Sequence, residues 1–515
     1  MNPSLPPNQD QPLPIVRELP AGFSIADVFF DFANRDGCLW FDSASSTPRD
    51  GGPLSDNEDS DLPSGRYSFL MSNPVDRLIA YLGDRDPWPQ IAAWYDHMPK
   101  VNHSQNDLPP MQGGIAGLIG YEAATWLETI PIAREDNFPT PAIWLGLYDW
   151  TIATDHHQQK SWLISQGFAA LDQDNSYQCR VPRAMRRADE VQQWLETACR
   201  RSKSVPKQPL PLDDVDRSRV ESNFSSESFR NAIARVVEKI FNGDCFQVNV
   251  AQRLLCRATS DSADLYQRLR SINPAPFGAF LKGEDFEVIS SSPESFLKLE
   301  DGWVETRPIK GTVARTGDEV SDRALANELS KSEKERAENI MIVDLMRNDL
   351  SRVCTDESVH VRKLCQLEKY QYVQHLVSVV EGKLDVGRTI VDLLKACFPG
   401  GSITGAPKIE AMRTIAELEP HCRGPYCGSM GYISCHGAAE FNILIRTITS
   451  ATRAGTRSNA PSGDCETVKQ SSPRYWQIPV GGGITARSRP ELEEAETWIK
   501  AAGILKALPG GVPIR

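Results

Sequence analysis

The chain has 515 residues, 40% of them hydrophobic and 24% charged, which fits a globular protein of roughly two to four domains. Its net charge of −12 speaks against nucleic acid or an anionic membrane as the main partner, although local arginines and a metal could still hold a small anion. No apolar run approaches the ~18 residues that cross a bilayer. The first residues lack a signal segment and the 12 cysteines lack CxxC or zinc-type spacing, so reduced thiols in a cytoplasmic protein are expected.

Residues 1–14 are proline-rich and polar and read as a flexible tail. An N-terminal region spans 15–200, within which 50–64 reads as an exposed acidic loop. Residues 201–224 read as a linker, and 225–515 form a second region. That region opens with apolar residues at helical spacing from Ser226 to Phe241. Alternating patterns predict strands over 286–290 and 295–299, with Glu294 at the turn between them. A carboxyl held there could act as a general acid if buried; the alternative is a solvent-facing turn glutamate.

A strand over 302–306 leads into Pro308-Ile309-Lys310-Gly311-Thr312. Proline and glycine aim the Lys310 side chain. Burial would disfavour its charged form and make the amine a nucleophile near neutral pH; in solvent it would be an ordinary turn lysine. A helix is predicted over 336–350 and carries Glu338. His375 heads an apolar run over 374–380, a setting more common for a core histidine than for a catalyst. Glycines and Thr404 precede a helical run from Lys408 to Leu418. Amide groups at such a helix start suit a carboxylate, or the stretch is a turn with no ligand; it is neither a Walker A nor a dinucleotide fingerprint.

An alternating run over 440–446 ends at Arg446, whose guanidinium could grip a carboxylate bidentately. Residues 451–473 read as a surface insertion before a second glycine-rich stretch, 480–484. The last helix is predicted to start with Ser488 as N-cap and Glu491 closing a capping box. It carries Glu493, Glu494 and Glu496, and Glu493 and Glu496 share a face. One inward carboxylate from each of two helices suits Mg2+, which keeps several waters; the alternative is two solvated acidic faces.

Taken together, these segments resemble the chorismate-utilising enzymes, the family of component I of anthranilate synthase and of aminodeoxychorismate synthase. The resemblance rests on 243–249 (GDCFQVN), 291–295 (SSPES), 308–312 (PIKGT) and 338–350 (ENIMIVDLMRNDL). It continues through 375–382 (HLVSVVEG), 398–408 (FPGGSITGAPK), 423–432 (RGPYCGSMGY), 441–447 (FNILIRT) and 481–497 (GGGITARSRPELEEAET). Order and spacing hold through nearly all of 225–510, and more weakly at 41–44, 65–69 and 113–121. The resemblance implies an α+β fold of two facing antiparallel sheets surrounded by helices, with both halves of the chain contributing.

It also implies roles. Anthranilate synthases carry alanine where this chain has Lys310, and the lysine form is typical of aminodeoxychorismate synthases. The implied activity is therefore conversion of chorismate and ammonia to 4-amino-4-deoxychorismate, for 4-aminobenzoate and folate, through a covalent lysine intermediate; component I of anthranilate synthase is the alternative. By the same carry-over Glu294 is the general acid/base. Glu338 and Glu496 hold Mg2+ with Glu493 close by. Tyr426 and Arg446 grip the enolpyruvyl carboxylate, and Thr404, Gly405, Gly482 and Gly483 complete the site beside His375. Asp42, Ser43 and Pro274 fall in segments that form a tryptophan pocket in relatives. Asn339 stands where many relatives have histidine, and Ala438-Ala439-Glu440 where Asp-x-Asp is frequent. The chain has no GxCxG-type glutaminase elbow, so a separate glutamine amidotransferase subunit, component II, is the expected ammonia donor.

Overall fold

The computed structural model describes residues 13–43, 65–100, 108–202, 220–369, 373–453 and 473–509. The 50–64 loop and most of the tail, the 201–224 linker and the 451–473 insertion lie outside the described residues. Among the described residues, no helix is long and apolar enough to cross a membrane.

The fold is α+β, built on one 12-stranded and one 10-stranded sheet, with every ladder antiparallel. Each sheet mixes strands from both halves of the chain. In the larger sheet Leu39–Asp42 pairs with Phe277–Lys282, placing Trp40 opposite Phe280. In the smaller, Gly114–Ile119 pairs with Ser429–Ser434, placing Leu118 opposite Met430. The sheets face each other across a core in which Leu39, Phe69 and Val288 of one meet Leu118, Trp144 and Tyr432 of the other. Helices Ile25–Ala33, Ser262–Ile272 and Pro490–Leu505 cover the larger sheet, burying Phe29, Leu265 and Ile504 against Trp40, Leu254 and Trp476. Helices Glu333–Ser351 and Ile390–Cys397 cover the smaller through Ile342, Met346 and Leu394. Fully buried tryptophans and phenylalanines dominate these layers because each removes about 150–250 Å2 from water.

Several predicted elements stand with small changes. The Ser226–Phe241 and Lys408–Leu418 helices form over the predicted residues. The Glu338 helix starts earlier, at Glu333, because the Ser332 hydroxyl accepts the Glu335 N–H (3.3 Å) as its cap. The last helix starts at Pro490 with Arg489 at the cap position, so the predicted capping box does not form. The Ser488 hydroxyl instead donates to the buried Glu493 carboxylate (2.6 Å) and accepts the Thr485 N–H (3.1 Å). The alternating run over 440–446 is strand only to Asn442. The Ile443 and Leu444 N–H groups turn to the Glu294 and Gly428 carbonyls, and Arg446 takes a left-handed φ of 51°.

Candidate active site

Lys310 lies not in a turn but in the strand Ile309–Ala314, paired with Leu376. The ladder slips between Lys310 and Thr312, and Gly311 takes φ 78°. This is a bulge that re-aims the neighbouring side chain. A Cβ at Gly311 would sit 2.7 Å from Leu329, so the position needs glycine both for conformation and for space. The Lys310 amine reaches the Ser402 carbonyl at 3.5 Å and comes within 3.4 Å of where a Gly483 Cβ would stand. Burial lowers its pKa from the usual lysine range, against the opposing pull of Glu338 and Glu294.

Glu294, in the two-residue connection between strands Phe286–Ser292 and Ser295–Glu300, is 5% exposed. Burial raises its pKa to about 7, while hydrogen bonds from Ser402 and the Ile309 N–H and the charge of Lys310 pull it down. One site thus holds an acid and an amine whose environments push both toward their neutral forms. His375, on strand Val373–Lys383, is buried with Nδ1 2.8 Å from the Thr312 hydroxyl. Burial, and then the charge of Arg446, lower its pKa to about 4, which makes it a neutral imidazole at physiological pH. Arg446 itself is held below its usual range by burial.

The helices Glu333–Ser351 and Pro490–Leu505 bring Glu338, Glu493 and Glu496 toward the same space. Lys334 Nζ stands 4.0 Å from both Glu338 Oε1 and Glu493 Oε1. Lys500 Nζ lies 2.8 Å from Glu496 Oε1 and 3.1 Å from the Gly481 carbonyl. Burial raises the pKa of Glu338, and its Oε1 is buried with no hydrogen-bond partner. Burial also pulls Glu496 upward, but Lys500, Lys334 and Lys310 outweigh it and leave its pKa lowered. Among the described residues no group of three or more His, Cys, Asp or Glu is close enough to enclose a metal unaided. A cation here would complete its shell with water and substrate oxygens, the habit of Mg2+, and the buried Glu338 oxygen, which has no hydrogen bond among the described residues, fits such a cation.

The rest of the carried-over set divides. Gly482 and Gly483 lie inside strand Arg474–Ile484, opposite Val250 and Asn249, and their bare backbone borders Lys500, Glu493 and Lys310. The Thr404 hydroxyl donates to Gly400 O (2.9 Å) and so holds its own turn. Gly405 (φ 140°) packs so closely that a Cβ would fall 2.1 Å from Gln247 O. Tyr426 is buried, its ring facing the Arg423 guanidinium at 5.9 Å. Asn339 is buried and bonded to Leu376 O (3.3 Å) and the Ser378 hydroxyl, so it serves the helix–sheet contact.

Sequence reasoning missed Gln247. It is fully buried, neither polar atom of its amide has a hydrogen-bond partner among the described residues, and Nε2 would lie 3.0 Å from a Gly483 Cβ. It carries no distinctive sequence signal, because its strand also holds Asn249, Gln252 and Arg253. Lys334, Lys500 and Ser402 were also missed, since lysines and serines in helices and loops carry no distinctive spacing.

The Asp42 carboxylate is taken by Arg270 (2.7 and 3.2 Å) and by Tyr266 (3.1 Å). The Ser43 hydroxyl donates to Tyr67 O (2.7 Å) and Pro276 O (3.1 Å). A cavity of about 600 Å3 opens beside Ser43, lined in part by Tyr67, Pro276, Phe277, Tyr432 and Glu440 but by neither Asp42 nor Pro274, which is half-buried.

Comparison with known proteins decides the family. The sequence pattern of the family described as chorismate binding enzyme is matched over residues 56–506. The chain belongs to this family. It is 36% identical over 459 residues to aminodeoxychorismate synthase component 1 of Salmonella typhimurium, covering 87% of this chain and 90% of the relative. It is 35% identical over 429 residues to anthranilate synthase component 1 of Thermus thermophilus, covering 82% and 83%. Among solved structures, anthranilate synthase component I from Streptococcus pneumoniae superposes with a TM-score of 0.69 at 31% identity, over 88% of this chain and 95% of that one. As a member of the chorismate binding enzyme family, the chain is an enzyme that acts on chorismate.

Proposed function

We propose that this chorismate binding enzyme is component I of an aminodeoxychorismate synthase, replacing the C4 hydroxyl of chorismate by an amino group. The observation that carries the reading is the Lys310 amine, its charged form disfavoured by burial, in one site with the buried Glu294 carboxyl, whose pKa is raised to about 7. The amine attacks ring C2, both ring double bonds shift (to C1=C6 and C4=C5), and the C4–O bond breaks as Glu294 gives its proton to the departing hydroxyl, which leaves as water. Ammonia then bonds to C4, both double bonds shift back, and the C2–N bond to Lys310 breaks. The amine is regenerated with loss of protons to Glu294 and solvent, so chorismate and ammonia yield 4-amino-4-deoxychorismate and water. Two displacements through a covalent intermediate replace one difficult substitution.

Arg446 and Tyr426 are assigned to the enolpyruvyl carboxylate, where a buried guanidinium suits bidentate recognition. Glu338 and Glu496, with Glu493 close by or acting through water, would hold Mg2+, which when bound would neutralise the ring carboxylate of the substrate. His375, neutral at the working pH, borders the ring. The sequence holds no glutaminase elbow, and relatives are named as component 1, so a glutamine amidotransferase subunit is the proposed ammonia source. The cavity beside Ser43 is the proposed place for tryptophan, and the product would feed 4-aminobenzoate and folate synthesis in the cytoplasm.

Anthranilate synthase component I is the second reading, favoured by relatives of that name. Peptide mapping of protein quenched during turnover tests the first. The Lys310 peptide should carry the mass of chorismate less one water. A Lys310→Ala protein that makes aminodeoxychorismate at the wild-type rate would sink the nucleophile.

A further inference from the structure

Arg423 lies outside the carried-over site, yet its buried guanidinium makes four hydrogen bonds beside it. Its side chain is 3% exposed and makes a fork with Glu419: Nε to Oε2 at 2.9 Å and Nη2 to Oε1 at 2.6 Å. The same guanidinium donates to the Ile403 carbonyl through Nη1 (3.0 Å) and to the Asn249 carbonyl through Nη2 (2.9 Å). Its centre lies 4.7 Å from the ring of Tyr121 and 5.9 Å from that of Tyr426. Its backbone is fixed as well. Glu122 accepts the N–H groups of Arg423 (2.6 Å) and Gly424 (2.9 Å), and Gly424 O accepts the Tyr121 N–H (2.8 Å).

Each bonded segment carries part of the site. Ile403 follows Ser402, whose carbonyl faces the Lys310 amine at 3.5 Å and whose side chain is one of the groups that pull the Glu294 pKa down. Asn249 lies two residues from Gln247, and its N–H holds Thr404 O (2.8 Å). Tyr426 is three residues along from Arg423 itself. One planar donor thus ties the turn behind the acid and the nucleophile to the strand beneath the substrate and to the loop bearing Tyr426. Lysine, a point charge on a flexible stem, cannot reproduce four directed bonds.

We propose that Arg423 is a positioning residue for the reaction on chorismate, holding the 401–405 turn at the distance from which Ser402 orients Glu294 and Lys310. The inference rests on the site described above but not on which product forms. Two variants test it, with loss of chorismate followed whatever the product. Arg423→Lys keeps a charge opposite Glu419 and should unfold near the wild-type Tm. Its kcat should fall about 100-fold, the scale of a misplacement near 1 Å, while the KM for chorismate moves much less. The double variant Glu419→Leu with Arg423→Met removes both charges, leaving none unpaired in the core. It should also unfold cooperatively, with the same loss in kcat. Wild-type kcat and KM in either folded variant would overturn the positioning role. Loss of cooperative unfolding in both would overturn it too, by showing a purely structural keystone. Anthranilate from the wild-type protein would contradict the proposed function and leave this test unchanged.

Discussion

At the scale of single residues, the chemistry rests on two pKa values moved in opposite directions by burial. In the proposed mechanism Glu294 needs its proton to help the hydroxyl leave, and with a pKa of about 7 it keeps that proton on the acid side of neutrality. Activity on bound chorismate should therefore fall as pH rises through about 7, and Glu294→Gln should lower kcat by about 100- to 10,000-fold while flattening that limb. The same shift has a stability consequence. A carboxyl whose folded pKa lies above its unfolded value of 4.5 stabilises the fold fully below that value and loses the contribution as pH rises toward about 7. Thermal unfolding should thus show Glu294→Gln gaining stability relative to wild type on going from about pH 4 to about pH 8. A constant difference in Tm across that range would contradict the buried acid. The sequence offered Glu294 and Lys310 as candidates with an ordinary surface reading beside each. Their burial comes from segments far along the chain, Ser402 and Gly483 among them, which no local pattern reveals.

At the scale of elements, the glycines of strand Arg474–Ile484 form a floor rather than a loop. Gly483 has no left-handed φ to protect, so its role is space: a methyl there would press on the Gln247 amide and stand 3.4 Å from the Lys310 amine. Gly483→Ala should therefore leave Tm nearly unchanged while kcat/KM for chorismate falls about tenfold or more, about 1.4 kcal/mol of transition-state binding. Steady-state rates beside a melting curve check both halves. Helix positions were legible because apolar spacing survives in a single sequence, as at Ser226–Phe241 and Lys408–Leu418. Ends were less so. Ser488 matches the capping-box pattern, but a buried carboxylate five residues on competes for its hydroxyl and wins. Arg446 sits in an alternating run, but the N–H groups before it are drawn to Glu294 and Gly428. In both cases the deciding partner is tertiary.

At the scale of the whole molecule, neither half of the chain owns a sheet. Without the N-terminal half, Phe277–Lys282 would lose Leu39–Asp42 and Ser429–Ser434 would lose Gly114–Ile119, exposing two long edges over an open core. Residues 220–515 expressed alone should aggregate or melt without a cooperative transition, and co-expression with residues 1–202 should restore one. Calorimetry of both preparations checks this; a cooperative, chorismate-consuming 220–515 fragment would contradict it. The facing sheets were legible only through family resemblance, because pairing across more than two hundred residues leaves no trace in local periodicity. The measurement that bears most directly on the central claim uses the whole isolated chain. It is incubated with chorismate, Mg2+ and ammonium, and the product is identified by mass spectrometry. The account predicts 4-amino-4-deoxychorismate with the enolpyruvyl group retained; anthranilate with release of pyruvate would contradict it.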